Sequence, residues 1–405
     1  MRIERTKREQ LLSRFVIPNM HYRIAITFVF FALAFCPALA IAQESPATLQ
    51  APRPLPKTPK PAKPSTPEPA PEATPKVWSQ RENIKVEPVE VKLARGGKVV
   101  ISSRAGNIIV TGWDKDTVQA SASSDSGPEP IETQTTGDPS HTRLLLTAST
   151  PSGRRFGREV RLEVKVPRYS DIETLDGQRG DIVISDVEGT TVINTGNGDV
   201  KVIRVGPLKV SRRSGDFTAR DVKGDLTARS FTGDIVVENV TGLVDVAATN
   251  GDLTIHNGGG DVRANSAMGG IEIRCAKGRA EVSSASGSIT LTGVGGDADA
   301  STASGEVIFT GLLRANGNYR LKSLSGEVVM TIQPDAPGFT ATLSTYSGGL
   351  DTDFPLKVEN PVQRGPINRR LTGQFGDGQA KIALDSFSGT VKIAKGTAAA
   401  LKTCK

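Results

Sequence analysis

Apolar and small polar residues alternate along most of the chain, and the pattern repeats with a period of about 18 residues. Residues 283–293 read SSASGSITLTG and residues 301–311 read STASGEVIFTG, so one phrase is written twice. Alternation on both sides of a central glycine is typical of two short strands that each bury one face. The pattern recurs at a nearly constant spacing at the marker glycines Gly180, Gly198, Gly215, Gly233, Gly251, Gly269, Gly287 and Gly305, and more loosely at Gly326, Gly348 and Gly389.

Counted from each marker glycine, the apolar residues fall in fixed columns. Positions +2 and +4 hold residues such as Ile182 and Ile184, positions −7 and −5 hold Leu208 and Val210, and position +7 holds Val187. A second glycine turn follows about halfway through each repeat. Glycine suits both corners because the chain there needs positive φ or a close approach to the next coil. The chain is therefore predicted to be all-β, a β-solenoid resembling a β-helix, with rungs of about 18 residues and two short strands per rung.

A column of small hydroxyl residues stands at position −3, as at Thr195, Ser266 and Ser284. We interpret it as a structural ladder that ties the corner to neighbouring rungs, with stacked hydroxyls donating and accepting in sequence. A nucleophilic serine needs a base within reach, and the sequence shows none. Arg212 interrupts this column, so we expect that corner to bulge or to turn the side chain outward.

Position +1 is acidic in five successive rungs: Asp181, Asp199, Asp216, Asp234 and Asp252. Carboxylates stacked about 4.8 Å apart repel one another, which favours cation binding or compensation by nearby basic groups. These residues are thus weak candidates for a site for Ca²⁺ or another hard cation. The alternative, which we favour, is that each aspartate accepts a backbone N–H after its glycine turn. The calcium-binding pattern G-G-x-G-x-D is absent from the sequence, and no cofactor is expected.

The regular repeat begins only at Gly180. Residues 81–170 are predicted to be an N-terminal β region, in which HTRLLLTAST and REVRLEVKVP are strands of β-hairpins that elaborate the solenoid. Residues 171–395 are the predicted solenoid repeats, and residues 396–405 are a C-terminal tail.

The strand pattern is missing from residues 1–80. Residues 24–42 are an apolar run that ends in small residues, so residues 1–42 are predicted to be a signal peptide, with Met20 as an alternative start. The alternative is an uncleaved signal anchor, because an apolar run of this length can just span a bilayer. Residues 43–80 are rich in proline and are predicted to be a disordered linker. We therefore expect an exported protein in the periplasm, on the outer-membrane surface or secreted, or anchored in the inner membrane and facing outward.

Charge and cysteine content narrow the classes of function. The formal net charge is +7, but residues 81–405 carry only +1 of it, and 5% of the chain is aromatic. Such a domain lacks the electrostatic footprint and the stacking platform of a nucleic-acid-binding protein. After the predicted signal only Cys275 and Cys404 remain. They make no disulfide framework and lack metal-ligand spacing, so we expect a fold held without disulfides.

No motif in the sequence indicates catalysis. His141 and His256 occur in unrelated contexts, and the patterns G-x-S-x-G, H-E-x-x-H and a phosphate-binding glycine loop are absent. We therefore expect a protein that is not an enzyme. Parallel β-helices do host polysaccharide lyases and hydrolases with sites built across rungs, so a carbohydrate-active enzyme on a β-helix is the more distant alternative.

The phrases LDGQRGDIVISDVEG, ARSFTGDIVVENVTG and VSSASGSITLTGVGG, preceded by RLEVKVPRYSDIETL, are similar to a bacterial "putative adhesin" domain family of unknown function. The resemblance covers about residues 84–395. It implies a location at the cell envelope and a binding or scaffolding role, and it supplies no catalytic residues.

Two functions follow as expectations. The first is an adhesin-like protein that binds a surface glycan or an envelope protein through its turn ladders, with affinity built from many weak contacts. The alternative is an envelope scaffold or sensor subunit that docks a protein partner, for example by strand pairing at an uncapped solenoid end.

Overall fold

The computed structural model describes residues 88–397 and Cys404, except 104–105, 126, 138–141, 149–158, 176–178 and 359–367. The predicted signal peptide, the proline-rich linker and His141 lie outside the described residues. Within the described part the chain forms 32 strands and no helix, which confirms the predicted all-β class. It follows that this part contains no helix long and apolar enough to cross a membrane.

The strands fall into three groups along the chain. The N-terminal region contains β1 (Val89–Lys92), β2 (Lys98–Ser103), β3 (Ile108–Trp113), β4 (Thr117–Ser124), β5 (Gly127–Glu129), β6 (Ile131–Thr136), β7 (Arg143–Ala148) and β8 (Arg161–Pro167). The regular repeat contains β9 (Asp171–Thr174), β10 (Ile182–Val187), β11 (Thr191–Asn197), β12 (Val200–Val205), β13 (Leu208–Ser214), β14 (Phe217–Val222), β15 (Leu226–Thr232), β16 (Ile235–Val240), β17 (Val244–Asn250), β18 (Leu253–Gly258), β19 (Val262–Met268), β20 (Ile271–Arg274), β21 (Ala280–Ser286), β22 (Ile289–Thr292), β23 (Ala298–Ser304), β24 (Val307–Gly311), β25 (Asn318–Ser325) and β26 (Val328–Ile332). The C-terminal region contains β27 (Phe339–Ser347), β28 (Leu350–Thr352), β29 (Lys357–Val358), β30 (Arg369–Phe375), β31 (Ala380–Ser388) and β32 (Val391–Lys395).

The strands form two sheets of 16 strands each. In the regular repeat, strands that follow a marker glycine form sheet A and strands that precede one form sheet B. Equivalent residues of successive rungs pair in parallel register, with Ile182 opposite Val200 in sheet A and Ile193 opposite Val210 in sheet B. Thirteen described strands of each sheet run parallel, so the stack of rungs extends about 60 Å at the usual strand spacing. The predicted β-solenoid with two strands per rung is confirmed.

The core lies between the two sheets and is built from the predicted apolar columns. Ile182, Ile184 and Val187 are fully buried, and the residues at positions +2 and +4 of the later rungs of the regular repeat are buried as well. Larger side chains fill the core toward the C-terminal end, where Phe309 and Tyr319 meet edge to face with their ring centroids 5.4 Å apart. Removal of these inner faces from water is the main force that holds the two sheets together.

The order of rungs along the stack differs from their order in the sequence at both ends. At the C-terminal end, β31 pairs with both β25 and β27, and β32 pairs with both β26 and β28. The last rung of the chain therefore lies between the two rungs that precede it. At the N-terminal end, β2 pairs with β7 and β9, and β3 pairs with β8 and β10. The first rung of the chain (β2 and β3) and the last one (β31 and β32) are thus each held between two neighbouring rungs.

Antiparallel strands cover the ends of the stack, as the predicted N-terminal hairpins suggested. At the N-terminal end the outermost parallel strands are β7 and β8, which form one rung. β6 pairs antiparallel with β7, β4 pairs antiparallel with β8, and β1 pairs antiparallel with β4. At the other end β30 pairs antiparallel with β27. There the rings of Phe339, Phe354 and Phe375 pack together with centroids 5.2–5.4 Å apart and close the core. These antiparallel strands protect the strands that they cover from further pairing. At the C-terminal end, however, sheet A terminates in β28, which no described strand covers, so docking by strand addition stays a prediction there.

The marker glycines are required by close contact between rungs. A Cβ atom on Gly269 would clash with the carbonyl oxygen of Gly251 in the preceding rung, and its φ of 140° suits only glycine. Gly251 stands in the same relation to Gly233. The glycine ladder predicted from the regular spacing is therefore a column of backbone-to-backbone contacts.

A third special column stands at position +6, and the sequence pattern did not predict it. Its residues adopt the left-handed conformation with φ between 54° and 62°: Asp186, Arg204, Asp221, Asn239, Asn257 and Cys275. Their side chains bond along the column, since Asn257 Nδ2 donates to Asn239 Oδ1 at 2.9 Å and Asn239 Nδ2 donates to Asp221 Oδ1 at 2.9 Å. Asparagine and aspartate tolerate this conformation best among residues with a side chain, and their recurrence at +6 was the available signal.

Cys275 and Cys404 form a disulfide, so the expectation of a fold without disulfides is wrong. The two residues are 129 positions apart in the chain, which hid the pair from any argument based on spacing. Cys404 Sγ lies against Gly293, where a side chain on residue 293 would clash with it. The disulfide fixes Cys404 to the turn that follows β20, four strands along sheet A from β32.

We expect Cys404→Ser to lower the free energy of unfolding by about 2–4 kcal/mol, because it releases a cross-link that closes a long loop. Thermal unfolding of the oxidised protein would measure the loss. The double variant Cys275→Ser/Cys404→Ser should lose no more than the single one, and reduction of the wild-type chain should reproduce the effect. Two free thiols at these positions in the protein purified without reductant would contradict the assignment.

Gly269→Ala is expected to destabilise the fold by about 3 kcal/mol or more, because the new Cβ meets a backbone carbonyl and the residue has positive φ. Its neighbour provides a matched control. The nearest atom to a Cβ on Gly270 lies 3.5 Å away, so Gly270→Ala should change stability by less than about 0.5 kcal/mol. Urea unfolding of the two variants would compare them, and equal losses would show that the glycine ladder is not sterically required.

Candidate functional site

The glycine-turn edge, where each rung passes from sheet B to sheet A, carries the most regular side-chain array of the described structure. The edge comprises positions −4 to +1 around each marker glycine. Its inner positions are used by the fold, and its outer positions are exposed. We therefore describe it column by column.

The five predicted aspartates form a hydrogen-bonded ladder along this edge. Asp181 Oδ1 accepts the backbone N–H of Asp199 at 2.9 Å, and Asp199 Oδ1 accepts that of Asp216 at 2.8 Å. The series continues from Asp216 to Asp234 at 3.0 Å, from Asp234 to Asp252 at 2.9 Å, and from Asp252 to Gly270 at 2.7 Å. Each aspartate thus satisfies a backbone donor of the next rung, as the favoured interpretation expected.

The ladder does not form a cluster of metal ligands. Among the described residues, no group of three or more His, Cys, Asp or Glu side chains is arranged to hold a metal ion. Each of the five carboxylates retains one oxygen outside the backbone bond to the next rung. A site for Ca²⁺ or another hard cation at Asp181, Asp199, Asp216, Asp234 and Asp252 stays a prediction.

The hydroxyl column at −3 is buried and bonds to the glycine ladder. Thr302 Oγ1 donates to the carbonyl oxygen of Gly287 at 2.9 Å, and Ser323 Oγ donates to that of Gly305 at 2.8 Å. Ser386 and Thr345 do the same to Gly326 and Gly389. The expectation that the stacked hydroxyls bond to one another is therefore corrected, because their acceptors are carbonyl groups of neighbouring rungs. Since these hydroxyls are buried donors, they are poorly placed to act as nucleophiles.

Arg212 lies inside this column, so the expectation that its side chain turns outward is wrong. Only 6% of the residue is exposed, and its Nη2 donates to the carbonyl oxygen of Asp234 at 3.2 Å. Burial lowers the pKa of the Arg212 guanidinium to about 10, while the carboxylates of Asp216, Asp199 and Asp234 act to raise it. The group therefore stays protonated at neutral pH, and it compensates part of the charge of the aspartate ladder.

A cavity of about 450 Å³ opens beside Arg212 at the N-terminal part of the edge. It is lined by residues of β11, β13 and β15: Asn194, Thr195, Gly196, Ser211, Arg212, Arg213 and Phe231. The cavity has a sequence basis at position −2. Gly196 has no side chain there, whereas Arg213 and Phe231 of the next two rungs project outward and form a wall.

Exposed apolar side chains run along position −2 in the C-terminal half of the edge. In stacking order they are Ala267, Ala285, Ala303, Leu324, Phe387 and Tyr346, and each is exposed. The rings of Phe387 and Tyr346 are parallel, with an angle of 3° between them and centroids 4.8 Å apart. They are 52% and 44% exposed, and Leu324 beside them is 56% exposed. Because the last rung of the chain lies between two earlier ones, Phe387 stands between Leu324 and Tyr346 in the row.

A column of exposed serines accompanies these apolar residues at position −1: Ser286, Ser304, Ser325, Ser388 and Ser347. The strand register places each of these serines directly opposite the serine of the neighbouring rung. The outer surface of the edge thus offers a row of hydroxyl groups beside a row of apolar groups, repeated at the strand spacing of about 4.8 Å.

His256 lies away from this edge, on the outer face of sheet A. Glu238 and Arg274 stand opposite it in the neighbouring strands, and its Nε2 atom is buried without a partner among the described residues. The buried hydroxyl column belongs to sheet B. His256 and the buried hydroxyl column are therefore on different sheets, and they do not form a nucleophile–base pair.

Parallel rungs with glycine corners, two sheets and antiparallel caps define a β-solenoid whose two sheets enclose a single core. The chain belongs to the Toastrack DUF4097 family, whose model matches residues 97–282 and 259–394. This is a domain family of unknown function, in agreement with the resemblance seen in the sequence. No curated protein matches the chain.

Two solved structures are similar to parts of the chain. One is a "putative cell adhesion protein" from Clostridium sporogenes, with 10% identity and a TM-score of 0.19, covering 76% of this chain and 100% of that one. The other is a "putative adhesin" from Bacteroides fragilis, with 12% identity and a TM-score of 0.21, covering 76% of this chain and 95% of that one. Likeness at these TM-scores gives no support to a shared ligand.

We expect Asp216→Ala to lower the free energy of unfolding by about 0.5–1.5 kcal/mol, because it removes the acceptor of the Asp234 N–H. Asp216→Asn keeps an oxygen at that place and should lose less. Asp335→Ala, which removes an exposed carboxylate outside the ladder, is the control. Urea unfolding with and without CaCl₂ would measure all three. A Ca²⁺-dependent rise in stability that Asp216→Asn abolishes would instead support the cation site.

Proposed function

We propose that the protein is an exported, non-enzymatic, adhesin-like β-solenoid that presents its glycine-turn edge at the cell envelope as a repetitive surface for binding a glycan. The observation that carries this proposal is the exposed double column of the edge. Positions −3, 0 and +1 are used by the fold, whereas the side chains at −2 and −1 in the C-terminal half of the edge are exposed. Sequence at these two positions is therefore free to serve binding.

The chemistry of the double column suits carbohydrate. Serine hydroxyls both donate and accept hydrogen bonds, as sugar hydroxyls do. Aromatic and aliphatic side chains beside them provide apolar surface for the C–H faces of sugar rings. The repeat allows several weak contacts to act together on one extended chain, which raises the overall affinity without a deep pocket.

A second candidate function is an envelope scaffold or sensor subunit that docks a protein. The observation in its favour is the apolar ridge of Leu324, Phe387 and Tyr346, since exposed patches of large apolar groups commonly mark protein interfaces. The exposed serine column beside the ridge supports the glycan hypothesis more than this one. Retention of a single envelope protein and of no glycan would reverse that preference.

Binding of the full chain to a glycan array and to envelope extracts would test the proposal. Phe387→Ser/Tyr346→Ser should weaken glycan binding about tenfold, because it removes the stacked rings from the edge. Leu312→Ser is the matched control, since Leu312 is 54% exposed but lies outside the glycine-turn edge. Unchanged glycan binding by the double variant, or equal loss in the control, would exclude the edge as the binding surface.

A further inference from the structure

The cavity beside Arg212 has the size and the position of a ligand site at one end of the glycine-turn edge. Its volume of about 450 Å³ lies within the usual range for pockets that hold small ligands. Its walls come from positions −4, −3 and −2 of three successive strands, β11, β13 and β15. These strands are held in parallel register on both sides, so the walls are fixed before any ligand binds.

Polar groups directly behind the cavity, on the inner side of sheet B, lack partners within the described protein. The Nε and Nη1 atoms of Arg212 and the Oγ1 atom of Thr195 are buried and have no hydrogen-bond partner among the described residues. The two residues stand opposite each other in register. A buried charge with unpaired donors is costly, because it has lost water without gaining an acceptor. An anionic group in the cavity would not contact these atoms, because Arg212 points to the opposite face of β13 from Ser211 and Arg213, but the buried positive charge would attract it across the strand.

The exposed part of the wall adds a second positive charge and further hydrogen-bonding groups. Arg213 is exposed and forms no ion pair within the described part of the chain. Asn194 uses its Nδ2 on the carbonyl oxygen of Thr174 at 3.4 Å, which leaves its Oδ1 as an acceptor, and Ser211 adds a hydroxyl. Phe231 is 60% exposed, so its ring offers an apolar face to a ligand.

Acidic groups lie near Arg212 but not in the cavity. Asp199, Asp216 and Asp234 act on its charge from position +1, across the glycine turn, and their Oδ1 atoms accept backbone N–H bonds. The described lining contains two arginines and no acid. Arg213 therefore remains as a positive charge that no described carboxylate pairs.

We propose that this cavity binds a sugar residue that carries a carboxylate, within an acidic glycan. The carboxylate would pair with the exposed Arg213, the sugar hydroxyls would bond with Asn194 and Ser211, and a C–H face would pack on Phe231. An acidic peptide would supply the carboxylate but not the row of hydroxyls or the apolar ring face. The inference rests on the proposed function in taking a glycan as the ligand, and it adds the chemical class and the place of binding.

Calorimetry with the full chain would test this proposal with three probes. The first is a hexasaccharide that alternates glucuronic acid with N-acetylglucosamine, the second is its carboxyl-reduced form, and the third is a hexaglutamate peptide. We expect the wild-type chain to bind the first at least tenfold more tightly than either of the others. The carboxyl-reduced form lacks the charge-assisted bond to arginine, and the peptide lacks the sugar hydroxyls and the apolar ring face.

Variants of the wall would locate the site. Arg213→Ala should weaken binding of the acidic hexasaccharide about tenfold, and Phe231→Ala should weaken it severalfold. Lys322→Ala removes one positive charge from the same face of sheet B without touching the cavity, so it should leave the affinity unchanged. Arg212→Met addresses the buried charge, and its thermal unfolding would show whether it folds. Arg213 and Phe231 are exposed, so the test does not depend on that variant.

Three outcomes would overturn the proposal: equal affinity for the carboxyl-reduced hexasaccharide, tighter binding of hexaglutamate, or an unchanged affinity in Arg213→Ala. Each is distinguishable from failure of the proposed function. If glycans bind the array and depend on Phe387 and Tyr346 but not on a carboxylate, the edge is the binding surface and the cavity is not an acidic-sugar site. If Arg213→Ala loses binding and the Phe387/Tyr346 variant does not, the cavity is the site and the ridge is not.

Discussion

The fold depends on one steric constraint, the contact of backbone with backbone at the glycine turn. Each marker glycine lies so close to the carbonyl of the preceding rung that a Cβ atom would not fit, as at Gly251 and Gly269. This contact fixes the height and the register of each rung. With the register fixed, apolar columns fall on apolar columns, and every strand N–H and C=O finds a partner in the next rung. Hydrophobic burial stabilises the stack, but the glycine contact decides its geometry.

The same constraint makes the polar residues of the turn structural. Aspartates at +1 bond to the backbone of the following rung, and hydroxyls at −3 bond to the carbonyl groups of the glycines themselves. A buried guanidinium at Arg212 then becomes tolerable, because the aspartate ladder runs beside it and keeps its charge compensated. The fold thus uses the residues at positions −3, 0 and +1 of the turn, and the exposed positions −2 and −1 are left for binding.

Much of this arrangement could be predicted from the sequence. The regular spacing of the marker glycines identified the rungs, the alternation identified the buried faces, and the aspartates after the glycines were expected to accept backbone N–H bonds, as they do. The candidate site was harder to predict from the sequence. Arg212 was expected to turn outward, because only a small side chain fits the ordinary corner. The cavity beside it depends on Gly196, Arg213 and Phe231 from three different rungs, and no local pattern relates them.

The sequence by itself determined what repeats: the period, the two strands per rung, the glycine corners and the columns, because these are local rules that every rung obeys. Only the tertiary structure decided the features that occur at a single place in the molecule. The terminal rungs insert between their neighbours, since parallel strands of similar pattern can pair in any order. The disulfide joins Cys275 to Cys404, 129 positions apart in the chain. The same insertion brings Phe387 beside Leu324, although the rung of Tyr346 lies between their rungs in the chain. These unique contacts depend on which rung lies beside which, and periodicity carries no information about that order.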